Sequence, residues 1–185
     1  MGKIEDLANL YEQHISAPWP HTVSGAQRVL MIVYDKELER TLRARIGEFE
    51  QRTRAAGKNW ALVDCTRWFA EWMANDEYRD AYFESPGDLA LKLEGEFKPH
   101  IVDRARKALR SVDRETVVGF TGIASLYGFL RISELIRDLE PDIRGRLAVF
   151  FPGSKEGGNI RLLDARDGWN YLAAVISLHG SGSLA

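Results

Sequence analysis

At 185 residues, with 45% hydrophobic and 28% charged residues, the chain has the size and composition of one folded, soluble domain and is too short for two ordinary ones. Its 25 basic and 27 acidic residues leave a net charge of −2, so no global field draws it to nucleic acid or to an anionic membrane. A single cysteine, Cys65, excludes an intramolecular disulfide framework and fits a reducing compartment.

The amino terminus, MGKIEDLANLYEQHI, is amphipathic and charged, with no apolar run of signal-peptide length. Nor does any stretch approach the roughly 20 apolar residues needed to cross a bilayer, so a soluble cytoplasmic protein is expected. Ile4, Leu7, Leu10, Tyr11 and Ile15 recur at helical spacing, and Pro18 and Pro20 forbid the helix from continuing. VLMIVY (29–34) is an uninterrupted apolar run, the pattern of a strand buried on both faces. Asp35 follows as a capping residue for a long helix that closes at Gly57. WALVDC (60–65) predicts a second strand, leading into one aromatic-rich helix from Thr66 to about Phe83.

Ser85-Pro86-Gly87-Asp88 reads as a helix start, and the segment to Arg110 is helical, divided near Gly95 and Pro99. TVVGF (116–120) predicts the third strand, passing through Thr121 and Gly122 into an apolar helix, IASLYGFLRISELIRDL. LAVFF (147–151) is the fourth strand, and two more are expected near Ile160 and Leu172. The expected fold is therefore α/β, a mostly parallel central sheet of five or six strands flanked by helices. The last two strands are close enough to form an antiparallel hairpin near the C-terminus. Residues 1–179 make one domain on this reading, and GSGSLA (180–185) has the composition of a flexible tail.

Ligands in open α/β sheets favour the crevice at the carboxyl ends of the strands. Asp35, Asp64 and Thr121 end three predicted strands, and Gly119, Thr121 and Gly122 belong to a strand–loop–helix turn able to hold an anion. The plainer reading makes Asp35 and Asp64 helix caps and the glycines a tight βα turn. A nucleotide loop would need a lysine where Ile123 and Ala124 stand, so nucleotide hydrolysis is not expected. His14, His21, His100 and His179 are scattered without metal-ligand spacing, and Cys65 has no histidine beside it, so neither a metal nor another cofactor is expected. Arg40 to Lys58, and Lys98 to Arg114, hold two basic clusters; they are either phosphate-contacting faces or solvated helix faces with i,i+4 pairs. Arg161, Asp164, Arg166, Asp167, Trp169 and Tyr171 crowd costly groups into one short stretch. That stretch reads equally as a partner-binding hot spot and as a self-satisfied turn of local ion pairs.

GAQRVLMIVYDKELERTLRARIGEFE (25–50), VVGFTGIASLYGFLRISELI (117–136) and RLAVFFPG…RLLDARDGWNYLAAVISLH (146–179), the last most specifically in its FFPG and RLLDARDGWNYL strings, resemble the BrxB family of bacterial BREX anti-phage defence systems. The resemblance implies a cytoplasmic accessory subunit working beside a PglZ-type phosphatase-like protein, an AAA+ ATPase and an adenine-specific DNA methyltransferase. It supplies no catalytic set to transfer. The expected function is thus a non-enzymatic adaptor bridging those components in host methylation and phage restriction. Two other readings stand beside it: a ligand-sensing domain or enzyme using the strand-end crevice, and a DNA-binding module using the basic helices.

Overall fold

The computed structural model describes residues 2–20, 22–156, 159–162 and 173–178; residues 163–172 and the tail expected from residue 180 lie outside them. The strands are β1 (Val29–Tyr34), β2 (Asn59–Asp64), β3 (Thr116–Thr121), β4 (Arg146–Glu156), β5 (Asn159–Leu162) and β6 (Ala174–Ser177). Five of them build an all-parallel sheet in the order β2-β3-β4-β1-β6. The helices are α1 (Lys3–Ser16), α2 (Glu39–Ala55), α3 (Trp68–Ala74), α4 (Arg79–Glu84), α5 (Leu89–Lys92), α6 (Lys98–Arg110) and α7 (Ile132–Leu139).

Apolar residues fill both faces of the central strands, which is why their sequences run without alternation. Leu30, Ile32, Ala148 and Phe150 point to a layer made by α1 and α2. Met31, Val118, Phe120, Leu147 and Val149 point to the opposite layer, where α6, α7 and Trp68 of α3 pack. On the α1/α2 side, Thr53 donates to the Phe49 carbonyl at 2.7 Å, so the Tyr11 hydroxyl donates to Thr53 at 2.6 Å. That pair ties the two helices through a buried polar contact.

Four expectations need correction. The last two strands do not pair as an antiparallel hairpin: β6 runs parallel to β1, with Leu30 opposite Ala174 and Val33 opposite Ser177. β5 instead lies antiparallel to the far half of β4, Gly153 opposite Leu162, beyond the parallel sheet. The helix expected from Thr66 to Phe83 breaks between α3 and α4, because the Asp76 carboxylate accepts from the Tyr78 amide at 2.8 Å and anchors Lys92 at 2.6 Å. The helix expected after β3 is likewise divided into a short 3-10 turn, Ile123–Leu126, and α7, with Gly128 between them at φ +84°. By contrast Gly95 and Pro99 do not break the chain before α6. A π-helical turn, Leu93–Phe97, absorbs Gly95, and Pro99 sits in the first turn of α6 where it lacks no needed donor.

α6 is locked to the turn before β4 by Asp142, which is 7% exposed and accepts from Arg106 Nε at 2.7 Å and Arg110 Nε at 2.6 Å. Burial alone would raise this carboxyl, but the two guanidiniums outweigh it and hold the group below its usual range. A depressed folded-state value stabilises the protein above the unfolded value and is lost as pH falls through the folded one. Wild type is therefore expected to lose stability steeply between about pH 5 and 2, and Asp142→Asn to show a shallower acid limb. Urea midpoints across that range measure it; identical slopes for the two proteins would refute the clamp.

Candidate functional site at the strand carboxyl ends

Asp64 and Thr121 are register partners at the ends of β2 and β3, and the Cys65 amide donates to the Thr121 carbonyl at 2.8 Å. Asp64 Oδ1 accepts from the Thr66 amide at 2.9 Å and from the Thr66 hydroxyl. It therefore closes a turn ahead of α3 rather than capping it; α3 has no side-chain cap. Gly122, at φ +72°, packs so tightly on this turn that a Cβ would lie 2.6 Å from the Thr66 nitrogen and 2.7 Å from Asp64 Oδ1. Gly119 lies inside β3 instead of in the crevice, with the Trp60 ring covering the place its side chain would take. Asp64, Thr121 and Gly122 thus come together, and Gly119 does not join them.

Asp35 is placed elsewhere. It follows β1, which β3 and β4 separate from β2, and its carboxylate accepts from the Glu37 amide at 3.1 Å, capping a 3-10 turn before α2. Beside it the Tyr34 hydroxyl donates to Glu39, whose other oxygen accepts from Arg43 Nε at 2.6 Å. The Glu39 bond raises the Arg43 pKa, and the charge of Asp64 adds to it. Burial and then Glu39 push the Tyr34 hydroxyl far up, so it stays a proton donor at any physiological pH. Burial, reinforced by Asp64, also pushes the Cys65 thiol up, which keeps it protonated and poorly nucleophilic. Asp35 and Asp64 thus close turns, Glu39 joins Tyr34 to Arg43, and the Cys65 thiol stays protonated.

The two basic clusters are largely neutralised locally. Arg43, Arg45, Arg52 and Arg54 pair with Glu39, Glu48, Glu12 and Glu50, while Lys98, Arg104 and Lys107 pair with Glu134, Glu71 and Asp103. No group of three or more His, Cys, Asp or Glu placed to hold a metal occurs among the described residues. No helix of the described residues is long and apolar enough to cross a membrane. Of the expected partner-binding residues, Arg161 lies in β5 opposite Ser154, whereas Asp164, Arg166, Asp167, Trp169 and Tyr171 fall outside the described residues.

The sequence alone does not single out Arg28, Arg144 and Arg146. With Arg114 they gather at the opposite, amino end of the sheet. Flanking a strand, an arginine looks like an ordinary solvated charge, and only the fold shows that three strand starts are adjacent.

The family model of the BREX protein BrxB matches residues 71–176, from within α3 to β6. The chain belongs to the BrxB family. This associates it with BREX anti-phage defence. The BrxB match takes in two of the resembling segments, 117–136 and nearly all of 146–179, and leaves out 25–50. It also contains the whole 161–171 stretch and Thr121 to Gly122, but neither Asp35 nor Asp64. No curated protein and no solved structure matches the chain.

Proposed function

We propose that this BrxB-family chain is a non-enzymatic adaptor of a BREX complex, binding the PglZ-type subunit and the AAA+ ATPase, with the methyltransferase as a further partner. The observation that carries the reading is the state of the strand-end crevice. The Asp64 carboxylate is engaged by the Thr66 amide and hydroxyl, Asp35 by the Glu37 amide, Glu39 holds Tyr34 and Arg43, and Tyr34 and Cys65 are held protonated. Such a crevice supports the fold and offers little to a substrate. Outside it, Tyr78, Phe83 and Leu91 stand exposed around α4 and α5, Leu91 at 89%. We assign the partner surface to the 161–171 stretch, where Arg166 and Trp169 supply the residue types that dominate interface energetics.

Affinity capture of the tagged protein from its host, with mass spectrometry, tests this. The PglZ-type subunit or the ATPase should co-purify with wild type and be lost with Arg166→Ala/Trp169→Ala, while circular dichroism shows the variant folded. Recovery of the protein alone at physiological salt would overturn the adaptor reading. Full capture by the folded double variant would overturn only the placement of the surface.

A further inference from the structure

The amino ends of β1, β4 and β3 lie side by side, and the residues leading into them carry a concentration of positive charge. Arg28, Arg114, Arg144 and Arg146 line a cavity of about 170 Å³ together with Trp19 and Ile143. Arg28 Nη1 donates to the Ile143 carbonyl at 2.7 Å, and Arg144 Nη1 reaches the Val112 carbonyl at 3.3 Å. Both bonds orient the guanidiniums about the cavity.

Arg146 decides the matter. It is 9% exposed, yet among the described residues it has no carboxylate within ion-pairing distance, and its hydrogen bond goes to the neighbouring Gly145 carbonyl at 3.0 Å. Its guanidinium lies 4.6 Å from the centre of the Trp19 ring, which also carries Lys58 Nζ at 4.2 Å. Lys58 in turn is paired to Glu115, whose more distant charge favours the Arg146 cation only weakly. Burial and then the charge of Arg28 outweigh it and lower the Arg146 pKa. Burial, followed by Arg146 itself, likewise lowers that of His14 on the adjoining surface.

Arginines on α2 and α6 show what this chain does elsewhere: Arg43, Arg52, Arg106 and Arg110 each hold a carboxylate. A buried cation among like charges is costly unless an anion meets it. We propose that the amino-end pocket binds a phosphate group, with Arg146 at its base and Arg114 and Arg144 at its rim. Several guanidinium forks around one small cavity match a tetrahedral dianion with many acceptor oxygens better than a single carboxylate. The volume is below that of an ordinary cofactor cleft, so the pocket receives the phosphate of a small phosphorylated ligand while the remainder projects outward. This assignment stands apart from the adaptor reading, since it uses the other end of the sheet and a different measurement.

The test is thermal unfolding of the whole chain in low-millimolar inorganic phosphate or pyrophosphate, against sodium chloride at equal ionic strength. Phosphate should raise the wild-type midpoint in a saturable way, as binding to the native state requires. Arg146→Met should unfold in chloride no earlier than wild type, because it removes an unmatched buried charge, and should show no phosphate shift. No shift in wild type, or the same shift in Arg146→Met, would overturn the proposal. Should Arg146→Met misfold, Arg114→Ala/Arg144→Ala alters exposed side chains only and is expected to weaken phosphate binding by roughly tenfold or more. Unchanged affinity in that variant would equally overturn it.

Discussion

Phe150→Ala is expected to destabilise the protein by about 3–5 kcal/mol, the upper range for truncating one buried aromatic side chain. Phe150 is fully buried in β4, the middle strand of the five-stranded parallel sheet. Its ring meets Phe49 of α2 edge-on at 4.8 Å and Trp60 of β2 at 6.4 Å, and Phe49 continues to Tyr11 of α1 at 5.3 Å. One side chain therefore joins two helices and an edge strand. Removing it leaves a cavity that these rigid neighbours cannot close, so the cavity cost adds to the lost burial. Phe83→Ala, at an exposed site on α4, should stay within about 0.5 kcal/mol. Urea denaturation of both variants makes the comparison. A Phe150→Ala loss as small as the Phe83→Ala loss would mean that this aromatic chain does not hold the layers together.

β1, β3 and the first half of β4 were legible because a strand buried on both faces reads as a nearly unbroken apolar run. The partner of β6 was not. Nearness in sequence favours a hairpin with β5, but the AVIS segment gains more by lying along β1, where Ile176 is buried beneath the α1/α2 layer. The break between α3 and α4 was hidden for a similar reason. Its cause is the Asp76 side chain, and what anchors Asp76 is Lys92, on a helix whose position only the tertiary fold determines.

Placement of Asp35 and Asp64 at strand ends was also legible, while their separation was not. Strand order decides it: β2 lies three places from β1, so two residues that look equivalent in the sequence sit at different points of the sheet. Arg146 shows the opposite limit. Its burial comes from Trp19 in the Pro-Trp-Pro segment, a contact that no local pattern near RGR announces.

Gly122→Ala is the second substitution expected to do severe damage, roughly 2–5 kcal/mol. Two effects combine. A left-handed backbone conformation costs an L-residue about 1–2 kcal/mol, and φ is +72° here. The added methyl group must also displace the Thr66 turn, since its nearest neighbours would include the Thr66 hydroxyl at 2.3 Å and the Thr66 amide nitrogen at 2.6 Å. Thr66→Ala should restore only part of the loss in the double variant, because the amide nitrogen and Asp64 Oδ1 remain in the way. Full stability of Gly122→Ala in urea would mean that the β2 and β3 ends are not packed against each other in this way. Severe loss with partial rescue would mean that the glycine serves to seat β3 against the Asp64–Thr66 turn. The resemblance of GFTG to a phosphate loop then has its explanation in packing.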